Sequence, residues 1–165
     1  MGYMINQLDS YFNMKKETFD DALKVTKALL TVEAKDKYGT TGYVMQGGEV
    51  TSRHYGFVQE ENVARANNFK DAAQAFRWDM WIDDEGDIYS TTFNGEKYTG
   101  SEITFLNAIA PYVREGSYIE MQGEEGERWK WYFDGMECIE YQAKILYPDV
   151  IEKLEEVYGK EENNE

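Results

Sequence analysis

Displaced by 40 residues, the C-terminal part of this chain matches itself. Asp84-Glu85-Gly86-Asp87 falls on Glu124-Glu125-Gly126-Glu127, Tyr89 on Trp129, Phe93 on Phe133, and Asn94-Gly95 on Asp134-Gly135. Upstream, Val63, Ala66, Phe69 and Ala73 fall on Ile103, Leu106, Ile109 and Val113. Matches held in one register over this length point to a duplicated supersecondary unit. The alternative is a pair of ordinary hairpins built from the same turn chemistry.

Each copy reads as a helix followed by two strands. Residues 62–76 carry apolar groups at helical spacing, with Asn62 placed to cap. Trp78 to Ile82 is aromatic and strand-prone, Asp83 to Asp87 holds the glycine of a hairpin turn, and Ile88 to Phe93 returns. In the second copy Ser101 is the expected N-cap. Ile103, Leu106, Ile109, Ala110 and Val113 form the apolar face, and Pro111 ends or kinks the helix. Tyr118 to Gln122 and Glu127 to Phe133 form the next hairpin, turning at Gly123–Gly126. Along the returning strand Trp129, Trp131 and Phe133 share one face, which reads as core, and Arg128, Lys130 and Tyr132 share the other. Asp134-Gly135 suits a type I′ turn into a third strand from Met136 to Ile145. Tyr147-Pro148-Asp149 opens a last helix with Val150, Ile151, Leu154, Val157 and Tyr158 on one side and Gly159 as its stop.

Before the repeat, Thr18 to Lys37 reads as one helix and Gly42 to Phe57 as a hairpin around Gly47-Gly48. The predicted division is therefore an N-terminal extension over residues 1–61, a duplicated αββ domain with its C-terminal helix over residues 62–159, and a frayed acidic tail over residues 160–165. The expected fold class is α+β. It is a two-layer sandwich in which both hairpins share one antiparallel sheet with the helices on one face, a variant of the ferredoxin-like arrangement.

Charge is divided along the chain. Residues 1–70 carry nine Lys/Arg and nine Asp/Glu, so residues 71–165 hold the whole formal net charge of −15. An aromatic content of 15% separates this chain from disordered acidic tails. Its acidity opposes direct binding to nucleic acid or to anionic membranes. A single cysteine, Cys138, precludes an internal disulfide framework and suits a reducing compartment. No stretch has the pattern of a signal peptide or reaches the length of a membrane span, so a soluble cytoplasmic protein is expected.

No motif assigns chemistry. His54 is the only histidine and lacks a Gly-x-Ser-x-Gly elbow. One His and one Cys do not make a structural zinc site. Around Gly86 the calcium-loop pattern fails at its first ligand, where Trp81 stands. With 32 acidic residues, carboxylate pairs carry no information about glycoside hydrolysis. No phosphate-binding glycine loop is present. The expectation is a protein that is not an enzyme and uses neither cofactor nor metal.

The remaining signal is collective. Asp83, Asp84, Glu85 and Asp87 in one turn, and Glu124, Glu125 and Glu127 in the other, are expected at matching ends of the two hairpins. With Glu115, Glu120, Glu137 and Glu140 they would form a ridge of carboxylates for a cationic partner. The alternative use of such a surface is solubility. In size, acidity, lack of a catalytic motif and hairpin content, the chain resembles phage-encoded anti-defence proteins, notably anti-CRISPR inhibitors of Cas nucleases. The segment Gly116 to Gly135 also looks like modules in small proteins of Gram-positive mobile elements. The resemblance implies a DNA-mimicking inhibitor that occupies the basic nucleic-acid-binding surface of a Cas nuclease such as Cas9. It carries over no individual functional residue. A different expectation is a module that binds a signalling nucleotide, for which Arg53, His54, Arg65 and Arg77 are the available donors.

Overall fold

The computed structural model describes residues 2–44, 47–48 and 50–162. It is an α+β protein of helices and antiparallel strands. The first strand, β1 (Ile5–Tyr11), is followed by α1 (Phe19–Ala28), α2 (Val32–Tyr38), β2 (Thr41–Val44) and β3 (Val50–His54). Next come α3 (Glu60–Arg65), α4 (Phe69–Ala75), β4 (Trp78–Ile82), β5 (Ile88–Phe93) and α5 (Ser101–Ile109). β6 (Tyr118–Gly123), β7 (Arg128–Phe133), β8 (Cys138–Gln142) and α6 (Pro148–Glu162) complete it.

The strands form a four-stranded sheet of order β1-β6-β7-β8 and two separate pairs, β2-β3 and β4-β5. The two repeat hairpins, β4-β5 and β6-β7, therefore do not pair with each other. β1, for which the sequence gives no strand signal, lies between them. It pairs with β6 along its length and touches the β5 side through isolated bridges at Met4–Lys97 and Met14–Ile88. Between those bridges the Gln7 carboxamide does the work of a peptide group. Its Nε2 donates to the Thr91 carbonyl (2.9 Å) and its Oε1 accepts the Phe93 N–H (2.8 Å). Of β1 only Ile5 is buried, which is why its apolar pattern is silent.

The turns of the repeat are alike. Asp83 N–H bonds the Asp87 carbonyl as Gly123 N–H bonds that of Glu127, and the Gly86 and Gly126 N–H groups close back on residues 83 and 123. Both glycines have φ near +90° (88° and 91°), as such turns require. The strand faces are not alike. Trp78 pairs with Phe93 in one hairpin, but Tyr118 pairs with Tyr132 in the other. That is one residue off the repeat, and a one-residue offset inverts the faces of a strand. The inversion falls on β4 and β6, where Trp78 is fully buried and its counterpart Tyr118 is partly exposed. β5 and β7 both bury their phenylalanines, and Tyr89 is exposed because the ladder skips it at a bulge.

The helices break where side chains cap. The span read as one helix from Thr18 to Lys37 stops after α1 and restarts at Thr31, whose hydroxyl accepts the Ala34 N–H. The span 62–76 is likewise two helices. Asn68 caps the second by accepting the Asp71 N–H, while Asn62 instead donates to Gln59. α5 is capped by Gly100 at φ +90° rather than by Ser101, and the Glu102 carboxylate reaches back to the Thr99 and Gly100 N–H groups. Pro111 sits in a short 3₁₀ turn after α5, so the helix ends there. At Asp134-Gly135 only the glycine has positive φ, so no type I′ turn forms. The Asp134 carboxylate holds that turn by accepting the Met136 and Glu137 N–H groups. β8 is shorter than the expected strand, and α6 runs through Gly159 to Glu162. The hairpin expected around Gly47-Gly48 and the tail beyond Glu162 lie partly outside the described residues.

One hydrophobic cluster runs from Ile5 to Cys138. Trp131 and Phe133 on β7 are fully buried with Ile119 and Met121 of β6, as the alternation predicts. Phe69, Phe76 and Phe105 stack above them on α4 and α5, and Trp78 meets Trp131 edge-on at 6.0 Å. No described helix is long and apolar enough to cross a membrane.

Candidate functional site

The expected ridge is divided. β5 and β6 both run antiparallel to β1. The Asp83–Asp87 turn, which precedes β5, therefore lies beside Met14, while the Gly123–Glu127 turn, which follows β6, lies beside Met4. The Glu124 N–H bonds the Met4 carbonyl, and the Lys16 ammonium bonds the Glu85 carbonyl. Ten residues, including strand β1 with its irregularity after Gln7, separate the two bridges, so at about 3.3 Å per residue the turns stand roughly 30 Å apart. They occupy opposite ends of the fold, not matching ends. Two strands carried parallel to each other on either side of a third impose this result.

Glu115 and Glu137 lie at the first end. Gly135, in the turn before Glu137, packs toward the Cβ of Glu115, and the Gly116 N–H bonds the Phe133 carbonyl. Glu120 and Glu140 lie within strands. Glu120 faces Lys130 across β6 and β7 on the face turned away from the core. Glu140 is opposite Trp131 and accepts its indole N–H at 2.8 Å.

Within the turns the carboxylates differ in role. The Asp83 carboxylate accepts the Glu85 and Asp87 N–H groups and so serves the turn itself. Asp87 accepts the Lys16 N–H at 2.9 Å and pairs with the Lys15 ammonium at 3.3 Å. The Lys16 N–H bond, aided to a lesser degree by Lys15, holds its pKa below the usual aspartate value against the cost of burial. Asp84, Glu85, Glu124, Glu125 and Glu127 are exposed, and among the described residues none of their carboxylates is in an ion pair. The charge divide along the sequence is thus partly closed in space, because two lysines of the neutral half sit on an acidic turn. The sequence reading missed these lysines, since nothing local links positions 15 and 87. It also left out Asp149, Glu152, Glu155 and Glu156, exposed on α6.

Of the cations considered for a nucleotide, Arg77 is consumed inside the protein. It is buried, donates to Glu102 and to the Lys97 carbonyl, and lies over the Phe93 ring. Arg53 is exposed, and Arg65 lies on a polar groove with Asp71 and Asp79, whose two carboxylates against one guanidinium disfavour a phosphate. His54 stands between Ser52 and Glu60, with Nε2 3.3 Å from the serine Oγ and Nδ1 3.1 Å from the carboxylate. Glu60 also accepts the Lys35 ammonium (3.0 Å) and the Tyr55 N–H. Burial opposes its ionisation, but these bonds outweigh that and hold its pKa below the usual glutamate value. The cluster ties β3 to α2 and α3. Burial, followed by the charges of Glu140 and Asp134, pushes the Cys138 thiol up to about 12, which makes it a poor nucleophile.

No protein-family profile matches the chain, and neither a curated protein nor a solved structure is significantly similar to it.

Proposed function

We propose that the protein is an acidic inhibitor of the anti-CRISPR type. It binds the basic nucleic-acid-binding surface of a bacterial defence nuclease such as Cas9, in the cytoplasm of the host bacterium, and occludes it. One observation carries this reading: carboxylates with no ion pair among the described residues stand on hydrogen-bonded turns at the two ends of β1, roughly 30 Å apart, close to one helical turn of duplex DNA at about 34 Å. Carboxylates at that spacing address the same Lys/Arg-lined channel that holds phosphates, without any chemical step. On this reading the two turns are equivalent places in a duplicated αββ unit of ferredoxin-like descent. Their shared hydrogen bonding and positive-φ glycines support that.

The test is DNA cleavage by Cas9 in the presence of the protein at low and high salt. The variants are Asp84→Lys/Glu85→Lys, Glu124→Lys/Glu125→Lys, and all four together. These side chains hold no turn, so the folds survive. Each pair is expected to weaken inhibition, the quadruple variant to abolish it, and salt to weaken the wild type. Full inhibition by the quadruple variant sinks the reading.

A further inference from the structure

The ring of Tyr98 stands perpendicular to that of Trp129, with centroids 6.4 Å apart and 79° between the planes. With Tyr3, Glu127, Glu140 and Gln142 they line an open pocket of about 270 Å³. Trp129 and Glu140 share the core-side face of the four-stranded sheet with Trp131, so the pocket lies where that face runs out beyond the buried core.

Three aromatic rings and two carboxylates make most of the pocket's lining electron-rich. Aromatic faces attract cations through the ring quadrupole, and a pair of rings at right angles offers two such faces to one guest. The Glu140 carboxylate accepts from Trp131 and Gln142, and Glu127 is exposed beside it. Burial first, and then the Glu140 charge, raise the Tyr98 pKa, which places that carboxylate's field on the ring. Among the described residues neither Glu127 nor Glu140 is in an ion pair. Lys97, next to Tyr98 in sequence, is turned to the Phe57 ring at 5.8 Å. Trp129 is only 7% exposed, and its indole N–H has no acceptor among the described residues. A hard metal ion would need about six oxygen ligands, which two carboxylates among rings do not supply.

We infer that this pocket binds an organic cation, an alkylammonium or guanidinium group held by Tyr98 and Trp129 and neutralised by Glu127 and Glu140. The inference does not rest on the nuclease reading. The cation could be a basic side chain of a protein partner or a free quaternary amine, and the same chemistry serves both.

The experiment follows the Trp129 indole N–H resonance of the full chain by NMR. The probes are choline, its uncharged carbon isostere, and N-acetylated, C-terminally amidated lysine and arginine. At least one cation is expected to move the resonance saturably and to bind about tenfold more tightly than the isostere. Tyr98→Leu and Glu127→Gln should each weaken it, with the melting temperature unchanged. Glu127 is exposed, so its variant leaves the core intact. Preference for the amino-acid probes assigns the cation to a protein side chain, and preference for choline assigns it to a free amine. Equal binding of the isostere, no response to any cation, or undiminished binding in both variants overturns the proposal. Failure here leaves the cleavage test untouched, because the charge-reversed acids there are Asp84, Glu85, Glu124 and Glu125.

Discussion

Arg77 shows how one side chain organises several segments. Its backbone has φ +83°, a conformation that costs energy for any residue with a Cβ. Its guanidinium bonds Glu102 and the Lys97 carbonyl and lies over the rings of Phe93 and Phe57. Burial lowers its pKa, and the Glu102 charge opposes that change. Replacing Arg77 by Met strands a buried carboxylate, so a loss of about 3–5 kcal/mol is expected in chemical denaturation. Replacing both, Arg77→Met with Glu102→Leu, should recover part of it. The remainder stays lost because Glu102 also accepts the Thr99 and Gly100 N–H groups. Glu60 gives a pH signature. Its folded pKa is depressed, so its contribution is present above the pKa of the unfolded glutamate and disappears as pH falls through the lower folded value. Glu60→Gln is therefore expected to be less stable than wild type at neutral pH. The two urea midpoints should converge in acid.

At the scale of elements, β1 matters most and is the least legible. Ile-Asn-Gln-Leu-Asp-Ser-Tyr has one buried position and no alternation, so no pattern rule assigns it to a sheet. Its place is set by backbone pairing with β6 and by the Gln7 carboxamide. Gln7→Ala leaves the Phe93 N–H and the Thr91 carbonyl without partners. A loss of about 1–3 kcal/mol is expected, with faster amide exchange at Phe93. α6 is the reverse case. Its helical spacing is plain in the sequence, yet Val150, Ile151, Leu154, Val157 and Tyr158 are all at least 39% exposed. A helix whose described side chains are all exposed adds nothing from them to the core. A chain ending at residue 146 should therefore keep the melting temperature of the full protein.

For the whole molecule, the position of charge matters more than its amount. A net −15 is enough to oppose nucleic acid, but it does not say where a cation would dock. The fold puts one acidic turn beside Lys15 and Lys16 and sends the other to the far end of β1, next to the Tyr98–Trp129 pocket. The ionic response should therefore differ from acid to acid. Added salt should weaken contacts made by the unpaired Glu124 and Glu125 more than those of Asp87, which already has a partner within the chain.

The sequence alone determined the local events. Glycines at 86 and 126 marked the turns, and the Trp129-Trp131-Phe133 stripe marked a strand with one buried face. Helical segments were legible, although their breaks at Thr31 and Asn68 were read as continuous. These features depend on neighbours a few residues away, where sterics and side-chain period act directly. Tertiary structure alone decided which ends of the hairpins coincide, because a polar strand from the N-terminus entered between them and reversed their relation. It also decided the faces of β4 and β6, because a one-residue change of register inverts one against the other while leaving the turn sequence intact. The candidate site inherits both decisions. Its acids were visible from the start, and their separation and partners arose only when distant segments met.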